Sequence, residues 1–146
     1  MTIDADAATV REAEVRTWTE AMPIARTLGA RYVFAAGGEA EMRLPFRPEV
    51  GFGIDGVFPA SAVGALVDFC GGVAAATLCE PGVLLATTDF AVTMLGPATG
   101  EELVARARVP RPSRGSTLVS TVEVFAAGEE SRPCAIGRVT MMAKRP

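Results

Sequence analysis

Residues 58–79 read FPASAVGALVDFCGGVAAATLC. Val63, Leu66, Val67, Cys70, Val73, Ala74, Thr77 and Leu78 recur at steps of three and four, the spacing of an amphipathic helix. The spacing predicts one long central helix from Phe58 to Cys79. At about 100° per residue, Asp68 points away from the apolar stripe. Its neighbours there are Ser61, Gly64, Ala65, Gly71, Gly72 and Ala75, all small, with no Lys, Arg or Glu among them. A lone carboxylate on a face cleared of bulk is either a solvated charge on an outer face or a half-buried group that needs a partner or a task. Two adjacent glycines each weaken a helix by about 1 kcal/mol relative to Ala, so close approach of another surface is the expected compensation. Pro59 suits the first turn, where its missing N–H costs nothing. The N–H groups of Ala60 and Ser61 are then free at the positive end of the helix dipole, placed for a polarised carbonyl or a developing oxyanion. The plainer reading makes Ser61 a helix cap.

On the N-terminal side, residues 8–22 predict a helix with Val10, Ala13, Thr17 and Trp18 on one face. Residues 1–23 are read as a helical arm and 24–146 as one domain, with Ile24 to Gly29 as a connector. Arg31 to Ala36 and Glu39 to Phe46 predict a hairpin turning at Gly37-Gly38. A glycine-rich loop, Arg47 to Val57, carries Phe52 and Ile54 and leads into the central helix. On the C-terminal side, strands are expected at Leu84 to Leu95, Glu102 to Val109, Ser116 to Ala126 and Cys134 to Ala143. In the first of these, simple alternation puts Phe90, Val92 and Met94 on one face. Thr87, Asp89, Ala91 and Thr93 fall on the other. The pattern is an α+β fold, an antiparallel sheet wrapped around one long helix, with an extra N-terminal helix.

Composition narrows the chemistry. The chain has 146 residues, 49% hydrophobic, with a net charge of −3. That fits one domain and offers no basic surface for nucleic acid or membrane. The start, MTIDADAATVREAEV, does not read as a signal peptide, so the cytoplasm is expected. The three cysteines are widely spaced, and Cys70 falls in the core stripe, as a packed reduced thiol would. There is no histidine. Ser-His-Asp and Cys-His hydrolysis and His-ligated zinc are therefore excluded. Catalysis would have to rest on carboxylate, hydroxyl and backbone donors.

Over residues 24–143 the chain resembles the hotdog-fold acyl-CoA thioesterases of the phenylacetate-degradation, PaaI-like type. The resemblance rests on strand order and on Leu28-Gly29, Gly56, Ala65-Leu66-Val67-Asp68, Thr87-Thr88-Asp89-Phe90, Leu95-Gly96-Pro97-Ala98, Gly100, Leu103 and Arg114-Gly115-Ser116. It implies that Asp68 is the catalytic carboxylate, acting as general base on water or as nucleophile on the thioester. It implies that an N–H at Ala60 or Ser61 polarises the carbonyl and that Thr87 orients the water. Gly53, Phe52, Phe58, Pro59 and Asp89 would border the substrate, and Arg111 and Arg114 would meet the phosphates of coenzyme A. It further implies no separate cofactor and a site shared between two subunits of a homodimer, assembling as a homotetramer. The family's His-Gly-Gly is replaced by Pro59-Ala60-Ser61, and Gly53 stands near its usual Asn. A second reading is therefore a non-catalytic domain that binds an acyl thioester or another small apolar ligand. A hydratase or lyase is disfavoured by the missing histidine. Arg106 and Arg108, on one strand face, read as a solvated edge or an intersubunit ion pair.

Overall fold

The computed structural model describes residues 3–111 and 115–144. Six antiparallel strands form one sheet in the order β1-β2-β4-β5-β6-β3. They are β1 (Arg31–Ala36), β2 (Glu39–Pro45), β3 (Leu84–Met94), β4 (Glu102–Arg108), β5 (Thr117–Ala126) and β6 (Ala135–Lys144). The sheet wraps around α3 (Ala60–Ala76), while α1 (Ala5–Ala21) and α2 (Pro23–Leu28) precede it. No helix among the described residues is long and apolar enough to cross a membrane.

The central helix is shorter than its apolar pattern. Pro59 stands at the N-cap in extended conformation (φ −70°, ψ 152°), one position before the first turn expected for it. Thr77 ends the helix. Its hydroxyl donates to the Ala74 carbonyl at 2.8 Å and accepts the Gly38 N–H at 2.8 Å, tying the helix end to the β1–β2 hairpin. Gly37 and Gly38 both have positive φ there (57° and 86°), as a tight hairpin turn requires. The helix presses Val63, Leu66, Val67 and Cys70 onto the sheet, and all four are buried. Cys70 packs between the carbonyls of Ala40 and Ala105, and burial pushes its thiol up to about 12.

Three expectations are corrected. The stretch Ile24 to Gly29 is no bare connector: Pro23 starts α2 and Gly29, at φ 81°, ends it. On α1 the buried residues are Arg11, Val15 and Thr19, not the Val10–Ala13–Thr17–Trp18 face. Arg11 is fully buried because it finishes another helix. Its Nε donates to the Ala76 carbonyl at 2.8 Å, beyond which α3 has no further turn, and Nη2 donates to Val83 O at 2.7 Å. A cation at a helix C-terminus also meets the negative end of the dipole. Glu14 accepts from the Gly82 N–H at 3.1 Å, which with a bond from Arg11 at 3.0 Å holds its carboxyl below the usual value.

The third correction concerns the small residues of α3. Gly64 and Gly71 are covered by the chain's own sheet. A Cβ at Gly71 would stand 2.5 Å from Val139 Cγ2, so glycine is what allows β6 to approach. A Cβ at Gly64 would stand 3.6 Å from the ring of Phe90. The stripe left open to solvent is narrower: Ser61, Ala65, Asp68 and Gly72.

Candidate active site

Asp68 lies mid-way along that stripe, half-buried. Thr87 Oγ1 donates to Asp68 Oδ1 at 2.8 Å. No cation pairs with Asp68 among the described residues. The carboxylate thus keeps Oδ2 for another donor, and the Thr87 oxygen keeps acceptor capacity beside it.

This pair exists because β3 is irregular. Its register against β6 runs Thr87↔Met141 and then Asp89↔Thr140, leaving Thr88 as a bulge. The Thr88 hydroxyl bonds the Thr140 carbonyl at 3.2 Å. The bulge reverses alternation, so Thr87 shares the helix-facing side with Phe90 and Val92. Asp89, expected on the side of Thr87, lies on the outer face and pairs with exposed Arg138 at 3.3 Å. The sequence reading missed this because nothing in Thr87-Thr88-Asp89 marks which residue is extruded.

The helix start stands apart from the carboxylate. Ala60 and Ser61 are exposed, and no side chain caps the helix, so Ser61 is not a cap. The first helical acceptor, Pro59 O, takes the N–H groups of Ala62 and Val63, leaving those of Ala60 and Ser61 without a backbone acceptor among the described residues. Eight residues along the axis, about 12 Å, separate Ala60 from Asp68. One helix therefore does not bring its own start to its own carboxylate.

The loop before α3 is fastened at its base. Val57 bridges Thr99, Phe58 N donates to Ala98 O at 2.9 Å, and Gly100 N donates to Gly56 O at 2.9 Å. Its tip exposes Phe52 and Ile54, while Gly53 sits at φ 102° with open space around it. Phe58, expected beside a substrate, is instead core: it is buried and packs edge-on against Phe46 at 5.4 Å. Pro59 is half-buried at the helix start.

The arginines divide. Arg106 belongs to a chain of ion pairs on the outer face, Glu102–Arg43–Glu41–Arg106–Glu130, with distances of 2.9, 3.0, 3.1 and 3.8 Å. Glu102 and then Glu41 raise the Arg43 guanidinium above its ordinary range. A depression of about 360 Å³ beside Phe34, Glu41, Arg106 and Glu123 is on this side too, across the sheet from Asp68. Arg111 is exposed after β4, at the end of the sheet where Val109 N meets Gly38 O, the C-terminal end of α3. Arg114 lies outside the described residues.

Neither a family model nor a curated protein matches the chain in sequence. Solved structures do. A thioesterase family protein from Silicibacter pomeroyi is 30% identical and superposes with a TM-score of 0.82, over 91% of this chain and 97% of that one. The chain belongs to the thioesterase family. Two further thioesterase-type folds agree with it in architecture. PaaI of the Escherichia coli phenylacetic acid degradation operon superposes at 0.80 with 16% identity, over 95% of this chain and 96% of its own. A thioesterase from Haemophilus influenzae superposes at 0.78 with 17% identity, over 99% and 93%. The sheet-wrapped helix of this thioesterase is thus the hotdog fold, and the PaaI-like resemblance of the sequence holds at that level.

Proposed function

We propose that this thioesterase hydrolyses an acyl-CoA, or a related acyl thioester, in a site shared by two copies of the chain. The observation that carries the reading is the Thr87–Asp68 hydrogen bond on the one stripe of α3 kept free of bulk. Water held between the Thr87 oxygen and Asp68 gives its proton to the carboxylate as its oxygen bonds the thioester carbon. The carbonyl electrons move onto oxygen and are met by the free N–H groups at Ala60 and Ser61 of the second copy. When the carbonyl re-forms, the C–S bond breaks and the thiolate takes the proton back from Asp68. The products are a carboxylic acid and a thiol.

The 12 Å or so between helix start and carboxylate in one chain supports a second copy. The edge of β3 supports the same conclusion. Not one of its eleven residues is buried, and among the described residues no strand lies on its far side. A long open edge of this kind invites pairing with its own symmetry mate. In this reading the homodimer forms there and two dimers make a tetramer. Phe52, Gly53 and Pro59 border the substrate beside the helix start, and Arg111 with Arg114 meets the coenzyme A phosphates. Asp89 stays outside the reacting centre. Three unpaired thiols suit a reducing compartment such as the cytoplasm.

The test is thiol release from a panel of acyl-CoA esters, beside Asp68→Asn. Loss of at least a hundredfold in kcat, with fold and oligomer kept, supports the base. Undiminished turnover in the variant removes the mechanism. Binding of esters without turnover by the native protein would favour the ligand-binding reading that Pro59-Ala60-Ser61 leaves open.

A further inference from the structure

Asp68 has a glycine one turn away on either side, Gly64 and Gly72, and each admits an apolar side chain from the sheet. The ring of Phe90 lies over Gly64, its Cε2 3.6 Å from where a Cβ would stand. Met141 lies over Gly72, with Cε and Sδ at 3.2 Å from the corresponding point. Four helical residues rise about 6 Å. The open stripe is therefore flanked by an apolar side chain within one turn of the carboxylate in both directions. The two walls differ. Met141 is 7% exposed and belongs to the core, whereas Phe90 is 49% exposed. The Thr88 bulge turns the Phe90 ring to the side of Thr87 and Asp68, so a large apolar surface faces the space an acyl group would enter.

We propose that Phe90 determines the length of acyl group this thioesterase accepts, favouring compact acyl groups over long chains. The inference rests on the assignment of Asp68 as the reacting carboxylate. An acyl group whose carbonyl carbon sits beside Asp68 meets the ring after about 6 Å and lies against its face. A longer chain has to displace the ring from Gly64 or bend into solvent. Truncating the side chain to a methyl opens the slot along the helix toward Ser61.

The experiment measures kcat/KM for straight-chain acyl-CoA esters of increasing length with the native protein, Phe90→Ala and Phe90→Tyr. The native protein should favour short esters. Phe90→Ala should raise the long-to-short ratio at least tenfold, the scale on which an apolar pocket discriminates. Phe90→Tyr, which keeps the ring, should hold the native ratio. A preference of the native protein for long chains, or an unchanged ratio in Phe90→Ala, overturns the proposal while leaving Asp68 in place. Dissociation of the oligomer by Phe90→Ala, seen by size-exclusion chromatography, also overturns it and makes the ring an interface residue. A native protein inactive on every ester sinks the Asp68 reading and this one with it.

Discussion

Thr87 and Phe90 point to the same side of β3 although three positions separate them. In a regular strand an odd separation puts two side chains on opposite faces. Here Thr88 is extruded, and its hydroxyl is satisfied by the Thr140 carbonyl. Beyond the bulge, Phe90 and Val92 are fixed by their packing around Gly64. The bulge is thus what delivers the Thr87 hydroxyl to Asp68.

Thr87→Val removes the hydroxyl that meets Asp68 without moving the strand. The Thr87–Asp68 hydrogen bond is lost. A hydrogen bond to a charged group is worth about 1.5–3 kcal/mol, so kcat should fall roughly ten- to a hundredfold. Circular dichroism should show the fold retained. Unaltered turnover in Thr87→Val would sever Thr87 from the reaction.

Gly64 and Gly71 should respond in opposite ways to alanine. At Gly64 the new Cβ meets Phe90 at 3.6 Å and Val92 at 3.9 Å, ordinary contact distances. Relief of the helix penalty should then stabilise the fold by up to about 1 kcal/mol. At Gly71 the Cβ would stand 2.5 Å from Val139 Cγ2, and overpacking of this kind costs about 1–3 kcal/mol. Urea denaturation of the two variants decides between them.

Arg11→Met keeps the apolar stem of the side chain and removes the charge. The carbonyls of Ala76 and Val83 and the carboxylate of Glu14 then lose the guanidinium, while Cys79 N–H stays on Ala76 O and Gly82 N–H on Glu14. A loss of about 2–4 kcal/mol is expected, since each of these bonds involves a charged group. Trp18, the single tryptophan, stacks on the Arg11 guanidinium at 4.5 Å, so its fluorescence follows both unfolding and undocking of α1. A midpoint unchanged in urea would refute the cap.

Cys70 makes stability fall at alkaline pH. Burial raises the native thiol from 9.0 to about 12. The unfolded chain releases this proton near the ordinary value, so above it the native state binds more protons than the unfolded one. The contribution is complete below the unfolded value and is lost as pH rises through the native one. The slope reaches about 1.4 kcal/mol per pH unit. Tyr32, raised mainly by burial, adds slope of the same sign to wild type and variant alike. Urea titrations from about pH 8 to about pH 11 should therefore show a steeper decline for wild type than for Cys70→Ala. Parallel declines would contradict the assignment.

The architecture was legible because α3 and the strands carry unmixed periods. Val63 to Leu78 repeats at helical steps, and Gly37-Gly38 punctuates the first hairpin. The open face of α3 was legible as a class of residue but not as a surface. Gly71 is small for the sake of the sheet, whereas Ala65 is small beside Asp68. Periodicity cannot separate these two reasons, since both ask for the same side chains. Asp89 was misplaced because a one-residue bulge has no compositional mark, yet it inverts every assignment on one side of it. Arg11 was passed over because a charged residue counts against burial until the carbonyls it serves are known.

Those carbonyls lie 65 and 72 positions further along the chain. Freeing α1 therefore strands the last turn of α3, and fraying that turn releases α1. The two segments open as one unit, and amide protons in both should exchange with solvent at a common free energy despite their distance in sequence. The N-terminal arm is thereby wired into the helix that bears Asp68, and its docking sets how often the far end of that helix comes apart.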